Sequence, residues 1–317
     1  MRNFKPDEYK LFTQICQMSQ KQLMKVLPET LKRAKYKNII EANEYIAAEG
    51  DIPICLVAHL DTVFSFPPYE IYYDREQNVI WSPDGLGADD RAGVFGILQI
   101  IKSGLRPHVI FTTDEETGGL GALAAAINGL PFEDVRYFIE LDRQGYKDCV
   151  FYKCNNKEFQ TYIESFGFKT EKGSFSDISI LCPEFKIAGV NLSIGYYYEH
   201  SYSELFNVNH FFTTINKVKR MLTVEVYPKQ YEYVSANPSE FEFYKYWMQK
   251  RELKTCVCCQ NQYEEDEMLK VSTDAGELYY CFDCLQNNVD WCAECHQPYE
   301  IDGVSKICPD CRKEFKF

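Results

Sequence analysis

The sequence predicts an α/β fold, a mixed but mostly parallel sheet flanked by helices, followed by a small cysteine-rich zinc-binding domain. Three observations carry that prediction. Between about Asn38 and Val224, short β-rich runs alternate with helical ones, as in a layered α/β domain. Within that stretch, Ile54-Cys55-Leu56-Val57-Ala58 is continuously apolar, as a strand buried on both faces requires. Nine of the fourteen cysteines fall after Lys254, eight of them in four C-x2-C pairs. The opening segment reads as helical, with Leu11, Ile15, Met18, Leu23 and Val26 on or near one face. Ile71-Tyr72-Tyr73 and Val79-Ile80-Trp81 flank a polar turn and read as a hairpin. Val94, Leu98, Ile101 and Leu105 recur at helical spacing, and Gly121 to Asn128 is alanine-rich and stops at Asn128-Gly129. Val109-Ile110-Phe111, Tyr137-Phe138-Ile139 and Val190 to Ile194 are further strands, and a helix is expected from about Val208 to Leu222.

The 317 residues suggest about two domains. We place a first domain at 1–230, a linker with one helix at 231–254, and the cysteine-rich domain at 255–317. Acids outnumber bases by 47 to 34, a net charge of −13. So acidic a chain is a poor general binder of nucleic acid or anionic membrane, and neither is expected as a partner. No stretch approaches the ~18 apolar residues of a membrane span, and the opening Met-Arg-Asn-Phe-Lys-Pro-Asp-Glu lacks a secretion signal's apolar run. A cytoplasmic protein is expected, and there zinc thiolates are the stronger reading of clustered cysteines than disulfides.

Five short motifs follow strand-like runs or open helices. They are Ala58-His59-Leu60-Asp61-Thr62-Val63, Gly87-Ala88-Asp89-Asp90-Arg91-Ala92-Gly93, Thr112-Thr113-Asp114-Glu115-Glu116-Thr117-Gly118-Gly119, Glu140-Leu141-Asp142-Arg143 and Tyr198-Glu199-His200-Ser201. In an open parallel sheet, loops at the carboxyl ends of the strands gather into one crevice, so motifs distant in sequence can converge. Together they offer two imidazoles and several carboxylates, a donor set for zinc or a similar divalent ion. Two close metals need a bridging carboxylate, plus one histidine and one further carboxylate each.

The set resembles the superfamily of co-catalytic di-zinc exopeptidases, which includes peptidase T-like tripeptidases and leucyl and glutamyl aminopeptidases. The resemblance covers roughly residues 50–225. It implies that His59 and Asp142 hold one metal, that Glu116 and His200 hold the other, and that Asp89 bridges both. Asp61 matches the carboxylate that supports a histidine ligand, and Glu115 matches the general base. Physical reasoning is consistent with these roles. Residues i and i+2 of a strand share a face, so Asp61 can reach the second ring nitrogen of His59 and fix its tautomer. Adjacent Glu115 and Glu116 can point differently, one toward metal and one free to move protons. The implied activity is hydrolysis of an amide bond by a water between two cations. The expected substrate is a small peptide, with an acyl-amino acid or other non-peptide amide as the alternative; an inactive hydrolase fold working through its zinc tail is the third reading. Only 57 residues separate Asp142 from His200, too few for the lid or dimerisation domain that carboxypeptidase branches insert there, whereas Gly-Ala-Asp-Asp-Arg-Ala-Gly is similar to peptidase T. His108 and His210 fit no motif and are read as structural. Tyr197, Tyr198 and Arg143 flank ligand positions and could polarise a carbonyl or simply pack.

The cysteine pairs are Cys256/Cys259, Cys281/Cys284, Cys292/Cys295 and Cys308/Cys311, spaced by 21, 7 and 12 residues. They suit two closed structural zinc sites and resemble tandem zinc ribbons or a LIM-like module. Sequential pairing, first with second and third with fourth, is preferred; Cys258 and His296 are left over. Nine bases against sixteen acids from Asn237 onward favour a protein partner for this tail over nucleic acid.

Overall fold

The computed structural model describes residues 2–235, 254–263, 268–273, 276–281, 284, 289–291 and 298–300. The chain divides into two compact units, Met1–Asn237 and Pro238–Phe317.

In the first unit an eight-stranded sheet runs in the order β1-β2-β6-β3-β7-β10-β8-β9. Its centre is four parallel strands: β6 (Pro107–Thr112), β3 (Ile52–His59), β7 (Phe138–Arg143) and β10 (Gly189–Ser193). Antiparallel β2 (Tyr45–Glu49) and β1 (Lys37–Glu41) extend one side; β8 (Asp148–Val150) and the short β9 (Lys169–Thr170) extend the other. The two-residue period of β3 splits its apolar run between two layers. Ile54, Leu56 and Ala58 join a core with α1 (Pro6–Cys16), α2 (Gln20–Arg33), α3 (Ala88–Lys102), α5 (Lys157–Glu164) and α7 (Val208–Leu222), while Cys55 and Val57 join a second core with α4 (Leu120–Asn128) and α6 (Ile178–Phe185). Burial on both faces is why these strands read as continuous apolar runs rather than alternating ones.

The expected hairpin is β4 (Tyr72–Asp74) and β5 (Val79–Trp81); β5 pairs with β12 (Leu205–Asn207), and β12 with β11 (Tyr196–Tyr197), in a separate four-stranded sheet. The amino-terminal segment differs from the single helical face expected of it. It is two helices broken at Gln17–Ser19, where the Ser19 hydroxyl accepts the Gln22 N–H and caps α2. Phe12, Ile15 and Cys16 face the core from α1, and Leu23, Leu27 and Leu31 from α2, leaving Val26 exposed. Residues 231–235, assigned to the linker from sequence, pack on this unit: Tyr231 is buried, and Glu232 and Ser235 bridge to Ile187 and Cys154. The rest of the expected linker helix up to Leu253 lies outside the described residues.

In the second unit, β13 (Lys254–Thr255) pairs with β14 (Gln262–Tyr263), β15 (Met268–Thr273) with β16 (Gly276–Cys281), and β17 (Val289–Trp291) with β18 (Pro298–Glu300). Among the described residues, no helix is long and apolar enough to cross a membrane.

Candidate metal centre

The crossovers place all five motifs at one end of the central sheet. His59 closes β3, Asp142 lies one residue before the end of β7, and Glu115 and Glu116 occupy the turn after β6. Asp89 sits in the first turn of α3, and His200 follows β11. Chain order reverses around β3, since its crossover leads to β6 on one side and the next leads to β7 on the other. Such a switch point leaves a crevice at the strands' carboxyl ends.

Asp89 lies between the two imidazoles. Its Oδ1 is 3.2 Å from His59 Nε2, and its Oδ2 is 3.2 Å from His200 Nε2. Asp142 Oδ1 stands 3.5 Å from His59 Nε2, and Glu116 Oε2 stands 3.0 Å from His200 Nε2. The five residues thus sort into two groups that share one carboxylate. Asp61 supports both: it meets His59 Nδ1 at 3.2 Å and accepts the N–H groups of Glu115 and Glu116 at 3.1 and 3.0 Å. One carboxylate therefore orients the His59 ring and fixes the turn carrying both glutamates.

Several supporting residues were not singled out from sequence. Buried Glu204 accepts the N–H groups of Ala88 and Asp89, each at 3.0 Å, and so holds the backbone of the shared aspartate. Asp90 accepts the N–H groups of His59 and Gly93 at 3.3 and 2.9 Å, tying α3 to β3. At Gly93 a Cβ would stand 2.5 Å from both Asp90 carboxylate oxygens and from the Leu141 carbonyl, so only glycine fits. Tyr196 donates its hydroxyl to Asp142 Oδ1 at 3.0 Å, and Asn191 and Ser176 approach Oδ2 at 3.3 Å. Beneath them, Ser176 also donates to the fully buried Glu140. Asp114, Tyr198 and His200 adopt φ of 56°, 60° and 60°, a left-handed conformation that costs a non-glycine residue energy and here clusters at the crevice. No sequence pattern marks Glu204, four residues past His200, because its role depends on a turn that returns it to α3.

The electrostatics follow from crowding acids around two imidazoles. Burial pushes Glu115 up to about 9, helped by Asp142 and Asp177; burial and then Asp89 raise Glu116 to about 7 and Asp142 to about 6. Burial would depress His59, but the hydrogen bonds of Asp142 and Asp61 carry it well above its ordinary value. The hydrogen bond from Asp89 leads the rise of His200 to about 9. Burial works against ionisation of Asp89, yet His200 and His59 hold it well below the usual carboxylate range. So many carboxylates ionise together only with positive charge among them, held by protons or by cations. The donor geometry fits cations. Ligands at about 2.0–2.2 Å in a tetrahedral shell stand about 3.3–3.6 Å apart, close to the separations here.

The crevice widens into an open cleft of about 510 Å³, lined beyond the metal-ligand candidates by Arg143, Gln144, Tyr152, Lys172, Phe175 and Glu199. Of the other flanking candidates, Tyr197 hydrogen-bonds His210 Nδ1 at 2.6 Å, and Tyr198 is exposed. His108 is buried, accepts the Gly50 N–H and pairs with Asp134 at 2.8 Å, while His210 stacks on Tyr146. Neither histidine reaches the crevice.

In the second unit, single sulfur atoms of Cys256, Cys259, Cys281 and Cys284 all lie within 4.8 Å of one another. Cys259 and Cys281 Sγ are 3.9 Å apart, near the spacing of about 3.8 Å that 2.3 Å zinc–sulfur bonds impose in a tetrahedron. Burial works against a Cys256 thiolate, but backbone N–H groups of Cys259, Cys281 and Cys258 aim at its sulfur and bring its pKa down to about 6. Cys292, Cys295, Cys308 and Cys311 lie outside the described residues.

No protein-family model and no curated protein matches the chain. Solved structures do match it. An aminopeptidase PepT from Bacillus cereus is 14% identical with a TM-score of 0.55, covering 68% of this chain and 97% of its own. A tripeptidase from Staphylococcus aureus is 13% identical with a TM-score of 0.56, covering 68% and 96%. An aminopeptidase from Desulfurococcus kamchatkensis is 13% identical with a TM-score of 0.53, covering 70% and 96%. The first unit has the fold of these peptidases. At such identities the likeness is one of architecture, and the chemistry rests on the side chains above.

Proposed function

We propose that this protein is a metal-dependent amide hydrolase, an exopeptidase of aminopeptidase type acting on small peptides. One observation carries the reading: the two oxygens of Asp89 face two different imidazoles at equal distance. A carboxylate shared between two cations, each also held by one imidazole, would need this arrangement. His59 and Asp142 would hold one zinc or similar divalent ion, and Glu116 and His200 the other, with Asp89 common to both. When bound, such a pair acidifies water and polarises an amide carbonyl. Glu115 lies beside the ligand Glu116 yet stands outside both ligand groups. Its carboxylate would take the proton of the attacking water and, with its affinity for protons raised by burial, deliver it to the departing amine nitrogen. Asp61 would keep His59 in the tautomer whose Nε2 faces the metal. The fold shared with two aminopeptidases and a tripeptidase favours a peptide amide over other amides.

The test is Glu115→Gln. It should leave metal content unchanged and lower turnover of an aminoacyl or dipeptide substrate by about three orders of magnitude, the scale of a lost general base. Near-normal turnover would remove Glu115 from the mechanism. For the second unit we propose a structural zinc on Cys256, Cys259, Cys281 and Cys284, and a second on Cys292, Cys295, Cys308 and Cys311. A closed thiolate shell leaves no position for chemistry, so this unit would serve binding or stability.

A further inference from the structure

The wall of the cleft beyond the metal-ligand candidates and Glu115 carries two cations, Arg143 and Lys172, beside one acid, Glu199. Arg143 directly follows Asp142 in the chain and lines the same cleft, as does Lys172. Among the described residues neither forms an ion pair, although the chain carries 47 acids to 34 bases. Arg143 is half-buried, and its Nε is buried without a hydrogen-bond partner. Of the nearby acids, Glu171 pairs with Lys169 and also feels the charge of Arg143, and Glu199 takes the Gln144 amide on Oε1 at 2.7 Å while its Oε2 is buried without a hydrogen-bond partner. A guanidinium withdrawn from water costs free energy unless an anion meets it, and its planar fork matches a carboxylate with two parallel hydrogen bonds. With two cations bound the centre itself would not exclude anions, so a fixed cationic fork on the cleft wall is what would select and orient a substrate carboxylate there.

We infer that Arg143, with Lys172 beside it, is a specificity determinant that receives a carboxylate of the substrate within a residue or so of the cleaved amide. This deepens the proposed hydrolase reading and rests on it. Two sources present that chemistry: the α-carboxylate of a dipeptide's leaving residue, and the side chain of an acidic amino-terminal residue. A metal-loaded enzyme is assayed on two matched pairs, Ala-Ala against Ala-Ala-amide, and Glu-p-nitroanilide against Gln-p-nitroanilide. In the wild type, the carboxylate member of one pair should be favoured in kcat/KM by about 10- to 100-fold, the range of a charge-assisted contact. Which pair shows the preference identifies the source. Arg143→Ala should collapse that ratio toward one, mainly through KM, and Arg143→Lys should restore part of it by keeping charge without the fork. Arg143→Lys also guards against an alanine variant that fails to fold. A wild type that discriminates neither pair, or a ratio unchanged in Arg143→Lys and Arg143→Ala, overturns the assignment while hydrolysis itself stands. A wild type that cleaves none of the four substrates overturns the hydrolase reading beneath it.

Discussion

Adding zinc to metal-stripped protein should expel protons, and the structure sets how many. At pH 7 His200, at about 9, holds a full extra proton, and His59, raised well above its ordinary value, favours its protonated form too. Glu116, at about 7, holds half of one, and Asp142, at about 6, holds little. Ligation needs neutral imidazoles and ionised carboxylates, so His200 and Glu116 alone release about one and a half protons per chain at pH 7, and His59 adds to that. If the cations also ionise Glu115, which sits at about 9, the number rises by about one. The sign is fixed, because protons compete with metal and combined affinity for the two ions must rise with pH. Each released proton contributes tenfold per pH unit, so the rise is about 30-fold or more from pH 6 to 7, and it flattens above pH 9. Titration calorimetry in buffers of different ionisation enthalpy counts the protons directly. A count below one, or affinity indifferent to pH between 6 and 8, would refute the placement of both histidines and Glu116 as ligands.

Other outcomes follow from the same contacts. Glu204→Ala strands the buried N–H groups of Ala88 and Asp89, so it should weaken zinc binding at the centre by about 10- to 100-fold, with Glu204→Gln recovering part; competition against a chelator measures both. Gly93→Ala forces a Cβ against Asp90 and the Leu141 carbonyl and should cost about 1–3 kcal/mol by denaturant unfolding, with no change expected for alanine at the open Gly104 beyond its left-handed φ penalty. In the metal-free protein, His59, His200, Glu116, Asp142 and Glu204 all have folded pKa values above their unfolded ones, so the stability these groups contribute is fullest below about pH 4 and is lost as pH rises from there to about 9, while the lowered Asp61 and Asp89 act in the opposite sense only at the acid end; a metal-free Tm that climbs between about pH 6 and 9 would contradict the crowding. Cys281→Ser should lower zinc content and open the chain to proteolysis beyond Lys254, while the first unit keeps its fold and its own metals.

That the five motifs gather at one end of the sheet was legible because a parallel sheet writes the carboxyl ends of its strands into the sequence. Each buried strand is an apolar run, and the residues just past it are the ones that can converge, so His59, Glu115, Glu116 and Asp142 could be found by looking where the runs stop. The helix at Val208–Leu222 is equally plain, since its apolar residues repeat at helical spacing behind an Asn207 cap. What sequence does not display is a contact made once, across a turn. Glu204, Asn191, Ser176 and Tyr196 touch the centre through single hydrogen bonds set by tertiary path, without a period or a spacing. The break between the first two helices was missed for a related reason: Ser19 ends a helical face that apolar spacing alone carries straight through.

Asp61 shows why such contacts matter to the proposed chemistry. Its side chain meets the ring of His59 and the backbone N–H groups of Glu115 and Glu116, so one carboxylate joins a proposed ligand of one metal, a proposed ligand of the other, and the proposed base. Burial is the largest influence and opposes its ionisation, but the hydrogen bond and charge of His59 together with the N–H groups of Glu116 and Glu115 outweigh it and hold the Asp61 pKa below the usual range, keeping the charge that all three contacts need. Asp61→Asn would preserve shape while removing that charge. Its effect on turnover should then overlap with that of Glu115→Gln rather than multiply with it, since both act on the same proton transfer. In a double-mutant cycle, full multiplication of the two effects would mean that Asp61 serves the metal alone. A double variant little worse than Glu115→Gln would place Asp61 in control of the base.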